Sequence, residues 1–223
     1  MLRVVFGCKS SLSFPGTVTR RQLVVGFGVD PAPSAAAVPA PVLLDARPYV
    51  LCLGKVLTAK ACHALARLFR AYKRRRPGEL ALVFAGPVVD ALDATGSAAD
   101  ANDVVVLGPV DEDTKAALLA HCTLLVAPSA YESLSLVVLE AWAAGRPVLV
   151  NGRCDVTRDH CDRHGGGLWF VDYATFEAAL DRLVTDPDLA EALGAAGHDA
   201  VTAHFSWPTV IDRYLAFLGA CLS

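Results

Sequence analysis

Two carboxylates lie within one apolar stretch of the sequence, Glu132 in a loop and Glu140 in a helical segment, with seven residues between them. The residues around Glu140, from 136 to 144, are otherwise apolar, which predicts a helix buried on most sides. A buried carboxylate without a partner is costly. A vicinal diol would satisfy it, because one carboxylate accepts hydrogen bonds from two adjacent hydroxyls, and ribose offers such a pair near the carboxyl ends of strands in open α/β sheets. A buried backbone N–H or an arginine would satisfy Glu140 in a purely structural role.

The start of the same helix is a candidate anion site. Ser133, Leu134 and Ser135 supply free backbone N–H groups and two hydroxyls at the positive end of the helix dipole. Such an end suits a phosphate. Every helix has one, so the position directly after a buried strand is what strengthens this interpretation.

These groups belong to one strand–loop–helix–strand unit. An apolar strand is predicted over residues 124–126, and Pro128 ends it. A helix follows over residues 134–144, with Ser133 as its N-cap, Gly145 as a left-handed C-terminal cap and Pro147 just beyond. A second strand follows over residues 148–150. The unit therefore has one ligand-facing end, at the loop that contains Glu132.

The rest of the chain repeats this alternation of strand and helix. Further strands are predicted over residues 49–53, 80–85, 104–107 and 168–171, and further helices over residues 61–76, 111–121, 173–185, 188–202 and 207–218. Residues 88–103 have no clear period and are predicted as loop. The fold expected is α/β, with a mostly parallel sheet of about five or six strands and helices on both faces. Residues 1–48 are interpreted as an irregular N-terminal segment and linker, and residues 49–223 as the domain.

The composition excludes several classes of protein. With 54% hydrophobic and 19% charged residues the chain is globular rather than disordered. A net charge of -3 provides no global attraction for nucleic acid or an anionic membrane. Residues 1–22 contain no apolar run long enough for a secretory signal or a membrane span.

The cysteines and histidines indicate neither a disulfide framework nor a metal site. The seven cysteines form no C-x-x-C pair, which is typical of reduced thiols and predicts a cytoplasmic protein. His160, Cys161 and His164 lie close together, but without a fourth ligand nearby they are interpreted as ordinary loop residues rather than a zinc site. No metal or cofactor is expected.

Two motifs in the central unit carry a resemblance to a known family: Pro128-Ser129-x-x-Glu132-Ser133-Leu134-Ser135 and Glu140-Ala141-x-Ala143-x-Gly145-x-Pro147-Val148. They resemble the donor half of the retaining nucleotide-sugar glycosyltransferases with the GT-B fold, family 4, also called glycosyl transferases group 1. The resemblance covers residues 23–219. It implies that Glu132 faces the transferred sugar, that Glu140 binds the ribose hydroxyls, and that the backbone at residues 133–135 holds the diphosphate.

The resemblance also assigns roles to residues nearer the start of the domain. It implies that Gly54, Lys55 and Lys60, after the first buried strand, border the donor diphosphate, and that Pro109 and Val110 border the nucleotide base. Lys55 stands where the family usually has arginine, which keeps the charge but not the planar fork that grips phosphate with two bonds. Two solvated lysines are the alternative interpretation.

The function that the resemblance implies is hexosyl transfer from a nucleotide diphosphate sugar to a hydroxyl acceptor, with retained configuration and no required metal. Lys55, Lys60 and the helix N-terminus would stabilise charge on the leaving diphosphate, and Glu132 would position the sugar.

Two alternatives stay open. One is a donor-binding module without its acceptor domain, which would bind donor but transfer little or nothing alone. The other is a sugar-nucleotide epimerase or phosphorylase-like protein on the same fold. The partners expected are the nucleotide sugar, an unidentified hydroxyl acceptor, and either a second copy of the chain or a separate acceptor domain.

Overall fold

The computed structural model describes residues 27–32, 38–39, 47–92 and 103–222, together with four two-residue strands near the N-terminus. Those strands pair antiparallel, Val4–Val5 with Val24–Val25 and Cys8–Lys9 with Arg20–Arg21. Most of residues 1–48, predicted as an irregular segment and linker, and residues 93–102 of the predicted loop lie outside the described residues.

The described core of the protein is a six-stranded sheet in which every pairing is parallel. Its strands are β1 (Tyr49–Leu53), β2 (Ala81–Ala85), β3 (Val104–Gly108), β4 (Leu124–Ala127), β5 (Val148–Asn151) and β6 (Gly167–Phe170). They lie in the order β3-β2-β1-β4-β5-β6. The prediction of a mostly parallel sheet of five or six strands is confirmed, and the order is that of a Rossmann-like fold.

Helices cover both faces of this sheet, as predicted. They are α1 (Cys62–Arg75), α2 (Glu112–His121), α3 (Leu136–Ala143), α4 (Asp155–His164), α5 (Tyr173–Thr185), α6 (Pro187–Ala200) and α7 (Trp207–Leu222). The alternation along β1 divides the core, since Val50 and Cys52 pack with α1 and α5 while Tyr49 and Leu51 pack with α2 and α3.

Two predictions about the helices are wrong. Helix α3 begins at Leu136 and its N-cap is Ser135, not Ser133, because the chain takes a left-handed turn at Ser135 before the helix starts. Residues 155–164 form helix α4 and not a loop. The buried positions of α4 are Thr157, His160 and Cys161, so its helical period is carried by residues that do not stand out as apolar.

The strand order places a change of direction at the centre of the sheet. Strand β1 lies between β2 and β4, so the chain builds outward from β1 on one side and then returns to its other side. Pairing between β1 and β4 ends at Leu51 and Leu125, before either strand ends. A cleft therefore opens between the carboxyl ends of β1 and β4, where open α/β sheets bind their ligands.

The described residues include no membrane-spanning helix and no metal-binding cluster. No described helix has the length and apolar character needed to cross a membrane. Within the same part of the chain, no group of three or more His, Cys, Asp and Glu side chains is arranged to hold a metal ion.

Candidate functional site

A cavity of about 470 Å³ occupies the cleft between β1 and β4. Its walls come from the turn after β1, the first residue of α1, the end of β4 and the loop that leads into α3. Seven of the residues predicted for the site line it: Gly54, Lys55, Lys60, Glu132, Ser133, Leu134 and Ser135. The structure therefore brings together two segments that lie far apart in the sequence.

One ion pair joins the two walls of this cavity. Lys60 lies in the one-turn 3₁₀ helix Thr58–Lys60 after β1. Its Nζ donates a hydrogen bond to Oε1 of Glu132 at 2.6 Å. The Glu132 side chain is 16% exposed and the Lys60 side chain 44%. Because Lys60 is the more open of the two, it can still reach an anion that enters the cavity while Glu132 holds it in place.

The turn after β1 depends on two glycines in close contact. Gly54 has a φ of +120°, which favours glycine, and its N–H donates to the Ala85 carbonyl at 2.9 Å. At Gly86, after β2, a Cβ atom would lie 2.2 Å from the Gly54 carbonyl oxygen. This contact fixes the backbone from which Lys55 extends, and Lys55 is exposed at the cavity without an ion-pair partner among the described residues.

Ser135 is the most unusual residue of the site. Its φ of 64° is uncommon for a residue other than glycine, and it is buried at the N-cap of α3. Its Oγ is buried and has no hydrogen-bond partner among the described residues, although it lines the cavity, and it does not cap the helix. Strained backbone at a cavity is a mark of a functional position, and an unpartnered hydroxyl beside a helix N-terminus suits an anionic ligand.

Glu140 lies in an adjoining cavity of about 370 Å³, which shares Phe27 and Leu136 with the first. Oε1 of Glu140 lies 3.3 Å from Nζ of Lys115, whose Nζ also lies 2.5 Å from Oε2 of Glu112. Burial lowers the pKa of Lys115, but hydrogen bonds and the charges of Glu112 and Glu140 raise it above its usual value overall.

The expectation that α3 is buried on most sides is therefore wrong on one face. Leu136 and Glu140 lie one turn apart on the face that lines the second cavity, and Leu136 is 44% exposed. The Glu140 side chain is 30% exposed. Its partner is a lysine rather than the arginine or backbone N–H of the structural alternative, and the cavity leaves it open to a ligand as well.

Two predicted residues do not join the site. Pro109 and Val110 follow β3 at the same edge of the sheet, but neither lines either cavity, and Val110 packs against the core. The next residue, Asp111, caps α2 by accepting a hydrogen bond from the Thr114 N–H at 2.8 Å. The role of Pro109 and Val110 at the nucleotide base stays a prediction.

Side chains that line the cavities and that the sequence interpretation missed include Phe27, Cys52, Cys62, Glu112, Lys115 and Leu136. For Lys115 a weak signal exists, because it follows Glu112 by three positions on α2 and such residues are neighbours on a helix. Its contact with Glu140 depends on how α2 packs on α3. No sequence pattern indicates that arrangement.

Taken together, the two cavities form one cleft with two kinds of binding group. The first contains two lysines, the N-terminus of α3 and a free hydroxyl, which suit phosphate. The second contains the carboxylates of Glu112 and Glu140, which accept hydrogen bonds from hydroxyls. A ligand with a phosphate end and a hydroxyl-rich end fits this order.

Comparison with known proteins identifies the family to which the chain belongs. The family described as "Glycosyl transferases group 1" matches residues 47–186. A GDP-mannose-dependent alpha-(1-6)-phosphatidylinositol monomannoside mannosyltransferase from Mycobacterium tuberculosis is 31% identical over 227 residues, which is 96% of this chain and 57% of that protein. The chain thus spans a little over half the length of that curated relative.

Solved structures agree on the fold. The C-terminal domain of a glycosyl transferase group 1 family protein, LpcC from Francisella tularensis, matches with a TM-score of 0.60 at 15% identity, over 82% of this chain and 97% of that domain. Anabaena HepE in complex with UDP and glucose matches with a TM-score of 0.65 at 15% identity, over 80% of this chain and 50% of that one. At this identity the likeness shows the fold alone.

Proposed function

Because this chain belongs to the glycosyl transferases group 1 family, we propose that it binds a nucleotide diphosphate sugar and takes part in transferring the sugar to a hydroxyl acceptor. The observation that carries the proposal is the cleft between β1 and β4, where Lys60, Glu132 and the unpartnered Ser135 hydroxyl meet. We further propose that transfer retains the anomeric configuration and requires no metal.

In this proposal the diphosphate lies in the first cavity. Lys55 and Lys60 approach it from the turn after β1, and the first N–H groups of α3 and the Ser135 hydroxyl approach it from β4. When the sugar leaves, negative charge grows on the departing diphosphate. Fixed positive groups at that position stabilise the transition state without having to reorganise.

The two carboxylates have different roles. Glu132 positions the transferred sugar from beside the diphosphate, with Lys60 as its counter-ion. Glu140 accepts hydrogen bonds from the ribose hydroxyls in the second cavity, where Lys115 holds its carboxylate in place. This order puts the nucleoside over the exposed face of α3 and the sugar near the loop that contains Glu132.

The relatives suggest where to begin with the donor. The mannosyltransferase relative is named as GDP-mannose-dependent, so GDP-hexoses are our first candidates. UDP- and ADP-sugars complete the panel, since the residues that read the base are not identified. We propose a cytoplasmic location, where nucleotide sugars and reduced thiols such as the five described free cysteines belong together.

A second candidate function is donor binding alone, with the acceptor held by another chain or domain. Helix α7 favours it, because Trp207, Ile211 and Leu215 recur at one-turn spacing and are all exposed. A second copy of this chain or a separate acceptor-binding domain would cover that face. Epimerase activity is the remaining alternative on this fold.

The first experiment is a thermal-shift panel of GDP-, UDP- and ADP-sugars and the free nucleoside diphosphates. A ligand that binds only the folded state raises the melting temperature, and we expect one nucleotide series to do so. Lys60→Ala should reduce the shift at a fixed ligand concentration, whereas Arg163→Ala, which breaks an exposed ion pair on α4, should keep it. No shift with any nucleotide would contradict the proposal.

A second assay separates the candidate functions. The donor that binds is incubated with and without hydroxyl acceptors, and the products are identified. Transfer gives nucleoside diphosphate and a glycosylated acceptor, epimerisation gives an altered sugar without any acceptor, and a donor-binding unit gives neither. Transfer by this chain alone would support the transferase, whereas transfer only after an acceptor-binding partner is added would support the donor-binding unit.

A further inference from the structure

Two buried cysteines line the phosphate end of the cleft. Cys52 is on β1 and Cys62 is the first residue of α1. Both are buried, both belong to the same hydrophobic cluster, and both line the first cavity together with Lys55 and Lys60. The chain between them is the turn that contains those two lysines.

The pair differs from two other buried cysteines, Cys122 and Cys161, in its surroundings. The Cys52 thiol lies close enough to Cys62 to lower the pKa of Cys62, with nearby backbone and the charge of Lys60 acting in the same direction and burial against them. The Cys62 thiol and burial raise the pKa of Cys52 well above its usual value. Burial raises the pKa of Cys122 and of Cys161 to about 12. Among these four thiols, only Cys62 has a lowered pKa, which favours its thiolate form.

We propose that Cys52 and Cys62 form a redox-responsive thiol pair that hydroperoxides oxidise to a disulfide within the donor cavity. With hydrogen peroxide, the Cys62 thiolate attacks one oxygen and the O–O bond breaks, which gives a sulfenic acid and a hydroxide that takes up a proton. The Cys52 thiol then attacks the sulfenic sulfur, an S–S bond forms, and water leaves. Overall two thiols and one hydrogen peroxide give one disulfide and two waters.

The disulfide closes the turn that contains the two lysines. An S–S bond is about 2.05 Å long, much shorter than the separation of two thiols in contact, so its formation draws the first turn of α1 towards β1. Lys60 lies two residues before Cys62 and is held by Glu132 from the other wall of the cavity. Moving one wall against the other spoils the geometry that grips a diphosphate.

This consequence rests on the proposed function, whereas the oxidation itself does not. We expect the oxidised chain to bind the nucleoside diphosphate at least about tenfold more weakly than the reduced chain. Because coupling between two equilibria is reciprocal, bound nucleoside diphosphate should make the disulfide harder to form to the same extent.

The test begins with the whole reduced chain and hydrogen peroxide. Trypsin cuts after Lys55 and Lys60, so Cys52 and Cys62 fall in separate peptides that only a disulfide can join. We expect the joined peptides to appear first and dithiothreitol to separate them. Oxidation of Cys122 or Cys161 before this pair, or no joined peptides while the chain is still folded, would overturn the proposal.

Variants identify the order of attack. Cys52→Ala should stop at a sulfenic acid on Cys62 that dimedone traps, and Cys62→Ala should leave Cys52 unreacted. Cys161→Ala is the matched control and should form the disulfide as the unmodified chain does. If a variant fails to fold, the peptide map of the unmodified chain still decides, because its result needs no substitution.

Binding of the nucleoside diphosphate to the reduced and oxidised chains completes the test. A disulfide with unchanged affinity would overturn the coupling. If the disulfide forms but the chain binds no nucleotide in either state, the proposal of a redox-responsive thiol pair is supported and the proposed function is refuted. Nucleotide binding without any disulfide would refute the thiol pair and leave the proposed function intact.

Discussion

Both ends of the cleft contain lysines and carboxylates, but in different numbers. At the β1 end, two lysines face one carboxylate, and Lys60 is more exposed than Glu132. At the α2 end, Lys115 is shared between Glu112 and Glu140. The first end has a surplus of positive groups and the second a surplus of carboxylates. In the proposed function, this difference lets the phosphate and the diol of one ligand bind at opposite ends of the cleft without competing for the same position.

The largest effect should come from the lysine at the first end. Lys60→Ala removes a charged hydrogen-bond donor to phosphate, worth about 1.5–3 kcal/mol, or about 10- to 100-fold in affinity for the nucleoside diphosphate. The nucleoside alone should bind as before, and the difference should shrink as salt rises. Calorimetric titration of both ligands measures this, with Arg163→Ala as control. Equal losses for both ligands would mean that Lys60 does not contact phosphate.

A smaller effect should distinguish the two carboxylates. Glu140→Gln should weaken nucleoside diphosphate binding about tenfold, because a neutral amide is a poorer acceptor for two ribose hydroxyls. Glu132→Gln should leave binding nearly unchanged, since it also frees Lys60 for the ligand, and should lower transfer instead. Titration of both variants beside Glu191→Gln, an exposed control on α6, decides. A greater loss of binding from Glu132→Gln would reverse the roles of the two ends.

Replacement of Ser135 by glycine should weaken nucleoside diphosphate binding and stabilise the folded chain. Ser135→Gly removes the hydroxyl but relieves the left-handed backbone, which costs a residue other than glycine about 1 kcal/mol. We expect thermal stability to rise and nucleoside diphosphate affinity to fall about two- to tenfold, the value of one hydrogen bond. Ser135→Ala should lose the same affinity without the gain in stability. Unchanged affinity in both variants would exclude the hydroxyl from the phosphate site.

The smallest effect should be a loss of stability in acid, caused by a histidine that contacts the wall of the first cavity. His160 is buried on α4, and its Nε2 lies 3.2 Å from the Leu134 carbonyl oxygen in the wall of the cavity. Burial lowers its pKa, and His164 acts in the same direction, while the Leu134 hydrogen bond and Asp159 oppose them. The folded state therefore binds fewer protons than the unfolded state, so stability present above pH 6.5 is lost as the pH falls towards the lowered pKa.

The pH prediction is checked by melting curves between pH 7.5 and about pH 5. We expect the melting temperature to fall by about 2–4 °C more in the unmodified chain than in His160→Gln. His198→Gln, at an exposed position on α6, is the control. Identical pH profiles for all three chains would show that His160 does not couple acid to the cavity.

Much of the fold could be predicted because its four central strands are buried on both faces. Residues 49–53 and 124–127 are almost continuously apolar, a pattern that parallel strands under two layers of helices require. Helix α4 was missed because Thr157, His160 and Cys161 occupy its buried face. Such residues satisfy their polar atoms only in the folded structure, so the sequence gives no sign of their burial.

Many residues of the site could be predicted from the sequence, whereas the contacts between them could not. Glu132 and Lys60 were identified separately, and the structure adds that they form an ion pair across the cleft. The left-handed turn at Ser135 could not be predicted, because serine rarely adopts that conformation and its surroundings must hold it there. Lys115 was missed since its role depends on the packing of α2 against α3.

The pairing of Val50 with Leu124 also determines when the cleft can form during folding. Strands β1, β2 and β3 leave the ribosome first and pair locally, but the cavity needs β4, which closes a long loop back to β1. Contacts between strands so distant in sequence are expected to form late in folding, after the transition state of the rate-limiting step. A nucleotide that binds the cleft should therefore leave the refolding rate almost unchanged and act mainly by slowing unfolding.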